Sequence, residues 1–119
     1  MKKNEILEMS FYFSLNIIEL TKFLKSNKEF VLSNQILKSG TSIGANVTEA
    51  QAAQSTKDFI AKMSISAKEA RETEYWLRLL DKSGYLVKYQ DRNNLFVQIK
   101  SIIKMLTSII KTTQEKIQN

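Results

Sequence analysis

The feature that most limits how this chain can fold is its complete lack of proline. No proline occurs in 119 residues, and only three residues are glycine. Apolar residues recur at steps of three and four along most of the sequence, which is the spacing of an amphipathic α-helix. The sequence therefore predicts an all-α protein without a β-sheet. Its length predicts a single domain over residues 1–119.

Start and stop signals divide the apolar pattern into four predicted helices, at about residues 4–26, 30–54, 55–83 and 91–117. Ser55 is a predicted N-cap with Asp58 three residues later, the arrangement of a capping box. Gly84 is a predicted helix stop because glycine readily adopts the left-handed conformation. Asp91 is the predicted N-cap of the fourth helix. Short connections make neighbouring helices antiparallel, so we expect an up-down-up-down four-helix bundle.

The first and fourth predicted helices carry more apolar residues than a bundle needs. A bundle helix requires about three apolar positions in seven, yet each of these helices has a second stripe beside its core stripe. The second stripes are Leu7, Phe11, Leu15 and Ile18 on the first helix, and Phe96, Ile103, Ile110 and Ile117 on the fourth. A contiguous apolar strip usually marks an interface, so the pattern predicts self-association. The alternative is that these long helices simply expose some apolar residues.

Small and polar residues interrupt the second predicted helix, where residues 39–49 read SGTSIGANVTE. At 100° per residue, one shoulder of its core stripe carries Ser39, Ser42, Asn46 and Glu49, and the other carries Gly40 and Gly44. A glycine inside a helix costs about 1 kcal/mol relative to alanine, so the pair predicts close approach by another helix. We interpret the four polar residues as a structural seam bonded to the third helix, through Thr73 or Glu69. A ligand-binding or catalytic groove is the alternative.

Basic residues form stripes on the third and fourth predicted helices of a chain whose net charge is +6. The stripes are Lys68, Arg71, Arg78 and Lys82 on the third helix, and Lys100, Lys104 and Lys111 on the fourth. Two such stripes suit the phosphate backbone of a nucleic acid. Nearby aromatic candidates for contact with bases are Tyr75, Trp76 and Tyr85. The alternative is a solvated charged face, on which Glu74 and Asp81 pair with Arg78.

The sequence lacks the residue types of many catalytic and metal sites. It has no cysteine and no histidine, which removes thiolate nucleophiles, imidazole bases and the usual zinc and haem ligands. Two Glu-x-x-Glu pairs, Glu5 with Glu8 and Glu69 with Glu72, are spaced like the magnesium ligands of all-helical nucleotide pyrophosphatases. These pairs should differ by about 20 Å in height along the bundle, too far to share one metal. We therefore expect no metal, no cofactor and no enzymatic activity.

The apolar runs fall far short of the roughly 18 residues that a membrane-spanning helix needs. The first eight residues carry acids inside a helical pattern, unlike a signal sequence. We therefore expect a cytoplasmic protein that does not contact a membrane.

Two motifs resemble a known bacterial family of four-helix bundles, whose founding members are encoded in 23S rRNA intervening sequences. The pattern S-x-x-S-I-x-A-N-x-x-E is matched by Ser39, Ser42, Ile43, Ala45, Asn46 and Glu49. The pattern K-E-A-x-E-x-x-x-W-L is matched by Lys68, Glu69, Ala70, Glu72, Trp76 and Leu77. The resemblance extends over nearly the whole chain, and it implies an antiparallel bundle that assembles as a ring-like homopentamer.

The same family includes the accessory protein of diversity-generating retroelements, which works with a reverse transcriptase and binds nucleic acid through a basic surface. The resemblance therefore implies copies of the chain, nucleic acid, and a reverse transcriptase or another protein as candidate partners. Our hypothesis is a non-enzymatic oligomer that binds RNA or DNA, largely independently of sequence, through the two basic stripes. The alternatives are a structural or protein-docking ring and, less favoured, a metal-dependent nucleotide pyrophosphatase.

Overall fold

The computed structural model describes residues 4–118 of the chain. These residues form four α-helices and no strand: α1 (Glu5–Ser26), α2 (Val31–Ala50), α3 (Thr56–Lys82) and α4 (Arg92–Gln118). The predicted all-α class and the four helices are confirmed. The largest error in the predicted bounds is at the end of α2, which stops at Ala50 rather than near residue 54. The backbone tightens after this point, because Ala53 N donates a hydrogen bond of 3.1 Å to the carbonyl of Ala50, three residues earlier.

The predicted signals at both ends of α3 are present. Ser55 Oγ accepts a hydrogen bond from the backbone of Asp58 at 3.0 Å, and the Asp58 carboxylate accepts one from Gln54 N at 3.3 Å. In a capping box this carboxylate would accept from the N-cap residue Ser55, but here it accepts from Gln54, one residue earlier. Gly84 has a φ of +92° just after the end of α3, as the stop signal predicts.

Contacts between α1 and α2 and between α2 and α3 run in opposite chain directions, so these helices are antiparallel. Ser33 Oγ donates to the carbonyl of Thr21, while Gly44, later in α2, approaches Ser10, earlier in α1. The contacts between α2 and α3 are Ile43 with Ser66 and Ser39 with Thr73.

The same order holds around the rest of the bundle. The contacts between α3 and α4 are Asp81 with Arg92 and Glu74 with Lys100. Asn16 of α1 contacts Gln98 of α4, and Phe23 near the end of α1 contacts Tyr89 in the connection just before α4. The topology is therefore the predicted up-down-up-down bundle, in which α4 closes against α1.

The core takes one apolar face from each helix. Its largest fully buried side chains include Phe13, Ile17, Leu20 and Leu24 of α1, Ile36 and Ile43 of α2, Met63, Leu77 and Leu80 of α3, and Leu95 and Ile99 of α4. Residues spaced by three and four along α3 form its predicted core stripe, and all are buried except Phe59, which is half-buried: Phe59, Met63, Ser66, Ala70, Thr73, Leu77 and Leu80. Within residues 4–118, every buried polar side-chain atom has a hydrogen-bond partner.

The two second stripes have different surroundings. On α1, Phe11, Leu15 and Ile18 are 60%, 44% and 37% exposed. On α4, the first three residues of the stripe are half-buried and pack against the core. The expectation of an uncovered stripe is therefore wrong for most of α4, because Phe96, Ile103 and Ile110 pack against the bundle's own core, and Ile110 lies in the groove beside α3. It holds for α1.

The bundle measures 51 × 26 × 21 Å. Its long dimension follows from α3 and α4, since 27 residues rise about 40 Å at ~1.5 Å per residue. In the part of the chain from residue 4 to 118, no helix is sufficiently long and apolar to cross a membrane.

Candidate nucleic-acid interface

All seven predicted basic residues are exposed on the outer faces of α3 and α4. The set is Lys68, Arg71, Arg78 and Lys82 on α3, and Lys100, Lys104 and Lys111 on α4. The helical period explains this placement, because the buried stripe of each helix leaves its opposite side to solvent. The structure then separates these residues into groups with different surroundings.

Arg71 and Lys111 line one groove between α3 and α4, with a volume of about 280 Å³. The other lining residues are Ser64, Ala67, Thr107, Ile110 and Gln114. Ala67 is buried and Ile110 is half-buried, so the groove has an apolar floor. It therefore combines two cations from facing helices with polar side chains above that floor.

Arg78 and Lys82 line a second, smaller groove of about 190 Å³ together with Tyr75 and Leu79. Tyr75 is 55% exposed. Its ring meets the ring of Trp76 edge to face, with centroids 5.0 Å apart. An exposed aromatic ring thus lies among the cations of α3.

Lys104 faces a different side of the bundle. It lines a groove of about 440 Å³ between α1 and α4, whose other residues are Met9, Ser101, Met105, Ser108 and Ile109. The predicted stripe on α4 is therefore divided, since Lys111 faces α3 and Lys104 faces α1.

The acidic residues near α3 pair with α4 rather than with Arg78, so that part of the solvated-face alternative is wrong. Asp81 accepts two hydrogen bonds of 2.6 Å, from Nε and Nη2 of Arg92. These bonds hold the pKa of the Asp81 carboxyl below its usual range, with burial acting in the opposite direction. Glu74 lies 3.5 Å from the ammonium of Lys100. Arg78 therefore keeps its charge available on the surface.

The four residues of the predicted polar seam have three different environments. Ser39 is fully buried, and its hydroxyl oxygen lies 2.9 Å from that of Thr73, as the seam hypothesis expects. Ser42 and Asn46 are half-buried and donate to carbonyls of their own helix, at 2.7 and 2.9 Å. Glu49 is exposed. Of these four residues, Ser39 alone therefore connects α2 to α3.

A further polar contact between α2 and α3 involves Ser66, which the seam hypothesis missed. Ser66 is fully buried, and its hydroxyl donates to the carbonyl of Ile43 at 2.9 Å. The available signal was a serine on the core stripe of α3, where a buried hydroxyl needs a partner.

The two glycines of α2 allow α1 to approach closely. A Cβ atom on Gly40 would lie 2.9 Å from Cγ1 of Ile17, and one on Gly44 would lie 3.1 Å from the carbonyl oxygen of Ser10. The predicted close approach by another helix is therefore confirmed, and that helix is α1.

The acidic residues proposed for the pyrophosphatase alternative lie in separate places. Glu5 and Glu8 are in the first turn of α1, and Glu69 and Glu72 are in the middle of α3. Burial and the nearby Glu72 raise the pKa of Glu69, while Lys38 and Lys68 oppose them. Among residues 4–118, no group of three or more acidic, histidine or cysteine residues could hold a metal ion.

Comparison with known proteins identifies a family and similar solved structures. The family described as 23S rRNA-intervening sequence protein matches residues 2–108. That segment contains every predicted cation except Lys111. A protein of unknown function from the S23 ribosomal protein family of Bacteroides thetaiotaomicron is 48% identical, with a TM-score of 0.84 over 89% of this chain and 98% of that chain. No curated protein matches the chain.

Proposed function

This chain belongs to the 23S rRNA-intervening sequence protein family, and on that premise we propose that it is an oligomeric, non-enzymatic protein that binds nucleic acid in the cytoplasm. The binding surface is the outer face of α3 and α4. Binding is largely independent of sequence, because contacts to phosphate position a nucleic acid without reading its bases.

The observation that carries this proposal is the exposed cations on α3 and α4, of which Arg71 and Lys111 share a groove. Within the described residues, the one ion pair that involves the seven cations is Lys100 with Glu74. Such a surface pair contributes at most about 1 kcal/mol, so Lys100 can exchange Glu74 for a phosphate at little cost.

Self-association multiplies this charge. The exposed apolar residues of α1 supply a surface for contact between copies of the chain. In the homopentamer implied by the family resemblance, five chains of +6 gather roughly +30 on one particle. Such multivalent binding should fall steeply as salt rises.

The test is a gel-shift series at about 50 to 200 mM salt, the range in which phosphate-driven binding weakens sharply. Reversing three charges with Arg71→Glu, Arg78→Glu and Lys111→Glu should weaken binding to all sequences alike while the oligomer stays intact.

A matched control reverses three charges on the other two helices. It carries Lys22→Glu, Lys25→Glu and Lys38→Glu, and it should bind more tightly than the first triple variant. An equal loss of affinity in both variants would show that binding depends on net charge and not on the outer face of α3 and α4. Absence of a shift by the wild-type protein at the lowest salt would refute nucleic-acid binding.

The apolar face of α1 favours a second candidate, a ring that docks another protein such as a reverse transcriptase. Phe11 and Leu15 are exposed there, and neither basic stripe lies on α1. This candidate gains support if the protein assembles but binds no nucleic acid.

A further inference from the structure

The groove between α3 and α4 has the properties of a seat for one phosphate group. Arg71 and Lys111 approach it from opposite walls, and neither pairs with an acid in the described part of the chain. Its apolar floor lowers the local dielectric constant, which strengthens attraction between a cation and an anion. At about 280 Å³, the groove lies just below the ~300 Å³ at which pockets for whole small molecules begin. Its size therefore suits a phosphate with part of its sugar.

The hydroxyl and amide groups of the groove differ in their freedom to bind. Thr107 already donates to the carbonyl of Ile103 at 2.8 Å. No hydrogen bond within residues 4–118 engages the side chains of Ser64 and Gln114, although both line the groove. Both can therefore donate to a phosphate oxygen.

Tyr75 lies one turn further along α3 from Arg71, a rise of about 6 Å for four residues at ~1.5 Å each. Trp76 contacts its ring edge to face, and Trp76 is in turn held by a hydrogen bond of 3.2 Å from its indole nitrogen to Glu72. Arg78 borders the same small groove as the Tyr75 ring. The ring is thus supported from within α3 and accessible from solvent.

We propose that this surface binds single-stranded nucleic acid, with a phosphate in the groove of Arg71 and Lys111 and an unpaired base stacked on Tyr75. The inference rests on the proposed nucleic-acid function and adds the form of the ligand. A duplex keeps its bases paired and stacked inside, whereas a single strand can turn a base onto an exposed aromatic ring. The spacing of about 6 Å along α3 is close to the distance between neighbouring nucleotides in an extended strand.

Strandedness distinguishes this inference from purely electrostatic binding. A duplex has a higher density of phosphate charge than a single strand, so phosphate contacts alone favour the duplex. Stacking on Tyr75 favours the single strand. We expect fluorescent 20-nucleotide single strands, both RNA and DNA, to bind more tightly than a duplex of the same sequence at equal salt.

Tyr75→Ala should weaken binding of the single strands about tenfold, as expected for loss of one stacked base, and should change duplex binding little. Tyr75→Phe should bind like the wild-type protein, because it keeps the ring. The matched control is Tyr12→Ala, since Tyr12 is 58% exposed but lies on α1. Circular dichroism and light scattering show that each variant keeps its fold and its oligomeric mass.

The seat is tested without changing any charge, by Ser64→Ala combined with Gln114→Ala. A diffuse electrostatic field predicts unchanged binding, whereas a defined phosphate seat predicts a loss of several-fold. The inference is overturned if the duplex binds as tightly as the single strands, if Tyr75→Ala behaves like Tyr12→Ala, or if the Ser64 and Gln114 variant binds normally. In each of those cases the proposed function survives, while a wild-type protein that binds neither form refutes both.

Discussion

Replacing Gly40 by alanine should have opposite effects on stability depending on the residue at position 17. A Cβ at position 40 would lie 2.9 Å from Cγ1 and 3.0 Å from Cγ2 of Ile17, which is fully buried. Those atoms belong to the branch point of a packed side chain, so they cannot move aside as the end of a long flexible chain could. The added methyl group therefore overpacks the contact between α1 and α2.

Two terms set the size of the effect. Overpacking a core costs about 1–3 kcal/mol, and replacing a glycine inside a helix by alanine gains about 1 kcal/mol. Gly40→Ala should therefore lower the free energy of unfolding by up to about 2 kcal/mol. Ile17→Ala removes both γ atoms, and in that background the same change should raise the free energy of unfolding by about 1 kcal/mol.

Urea unfolding followed by circular dichroism measures the four proteins of this double-mutant cycle, at one protein concentration because the proposed self-association would add to stability. The expected coupling between positions 40 and 17 equals the overpacking cost, about 1–3 kcal/mol. Ile17→Val is the control, since valine keeps both γ atoms and Gly40→Ala should remain destabilising beside it. An effect of Gly40→Ala that is the same in all three backgrounds would refute the steric explanation.

Two further predictions concern the links of α3 to its neighbours. Arg92 lowers the pKa of Asp81 in the folded protein, so the ion pair should stabilise the fold fully above the unfolded pKa of about 3.8. This stabilisation should disappear as the pH falls through the folded pKa. Measurements of Tm against pH should show that Asp81→Asn is less stable than the wild type at neutral pH and equally stable in acid. Ser39→Ala should lower the free energy of unfolding in urea by about 1 kcal/mol, because Thr73 loses its hydrogen-bond partner on α2. Asn46→Leu should change it by less than about 0.5 kcal/mol, because Asn46 bonds only within α2. A larger loss for Asn46→Leu would contradict this description of its hydrogen bonds.

Periodicity predicted the fold because most of its information lies within single helices. The buried stripe of α3 follows from steps of three and four, and Ser55 and Gly84 mark its ends with local backbone chemistry. Neither depends on how the helices later pack. The end of α2 was harder to predict, since residues 51–53 continue a helix-compatible composition and the chain must reverse before Ser55.

Partners across helices were not predictable in the same way. Asp81 is three residues from Arg78, a spacing that suits pairing on one helix, yet Arg92 offers it a two-bond geometry after the chain turns. Ser42 and Asn46 turned to carbonyls of their own helix, a choice that short polar side chains have at any helical position. These outcomes depend on distances that exist only once the bundle has formed.

The sequence predicted which cations form the candidate site, but it did not predict the groove in which Arg71 and Lys111 meet. Both stripes are exposed, as the period requires, but the meeting of Arg71 with Lys111 depends on the register between α3 and α4. The contacts of Asp81 with Arg92 and of Glu74 with Lys100 hold that register. No pattern within either helix encodes it, so the groove and the position of Tyr75 beside it emerged from the structure alone.

The buried hydroxyl contacts between α2 and α3 also determine the vertical alignment of the subunit. Apolar stripes tolerate a slide of one turn, about 5.4 Å, because one aliphatic side chain then takes the place of another. Such a slide would separate Ser66 from the Ile43 carbonyl and Ser39 from Thr73, at about 1 kcal/mol for each bond. Each copy of the chain therefore carries its cations at the same height above its apolar face. A closed symmetric assembly, as proposed above, would require this fixed geometry in every copy, because small errors of alignment would accumulate around it.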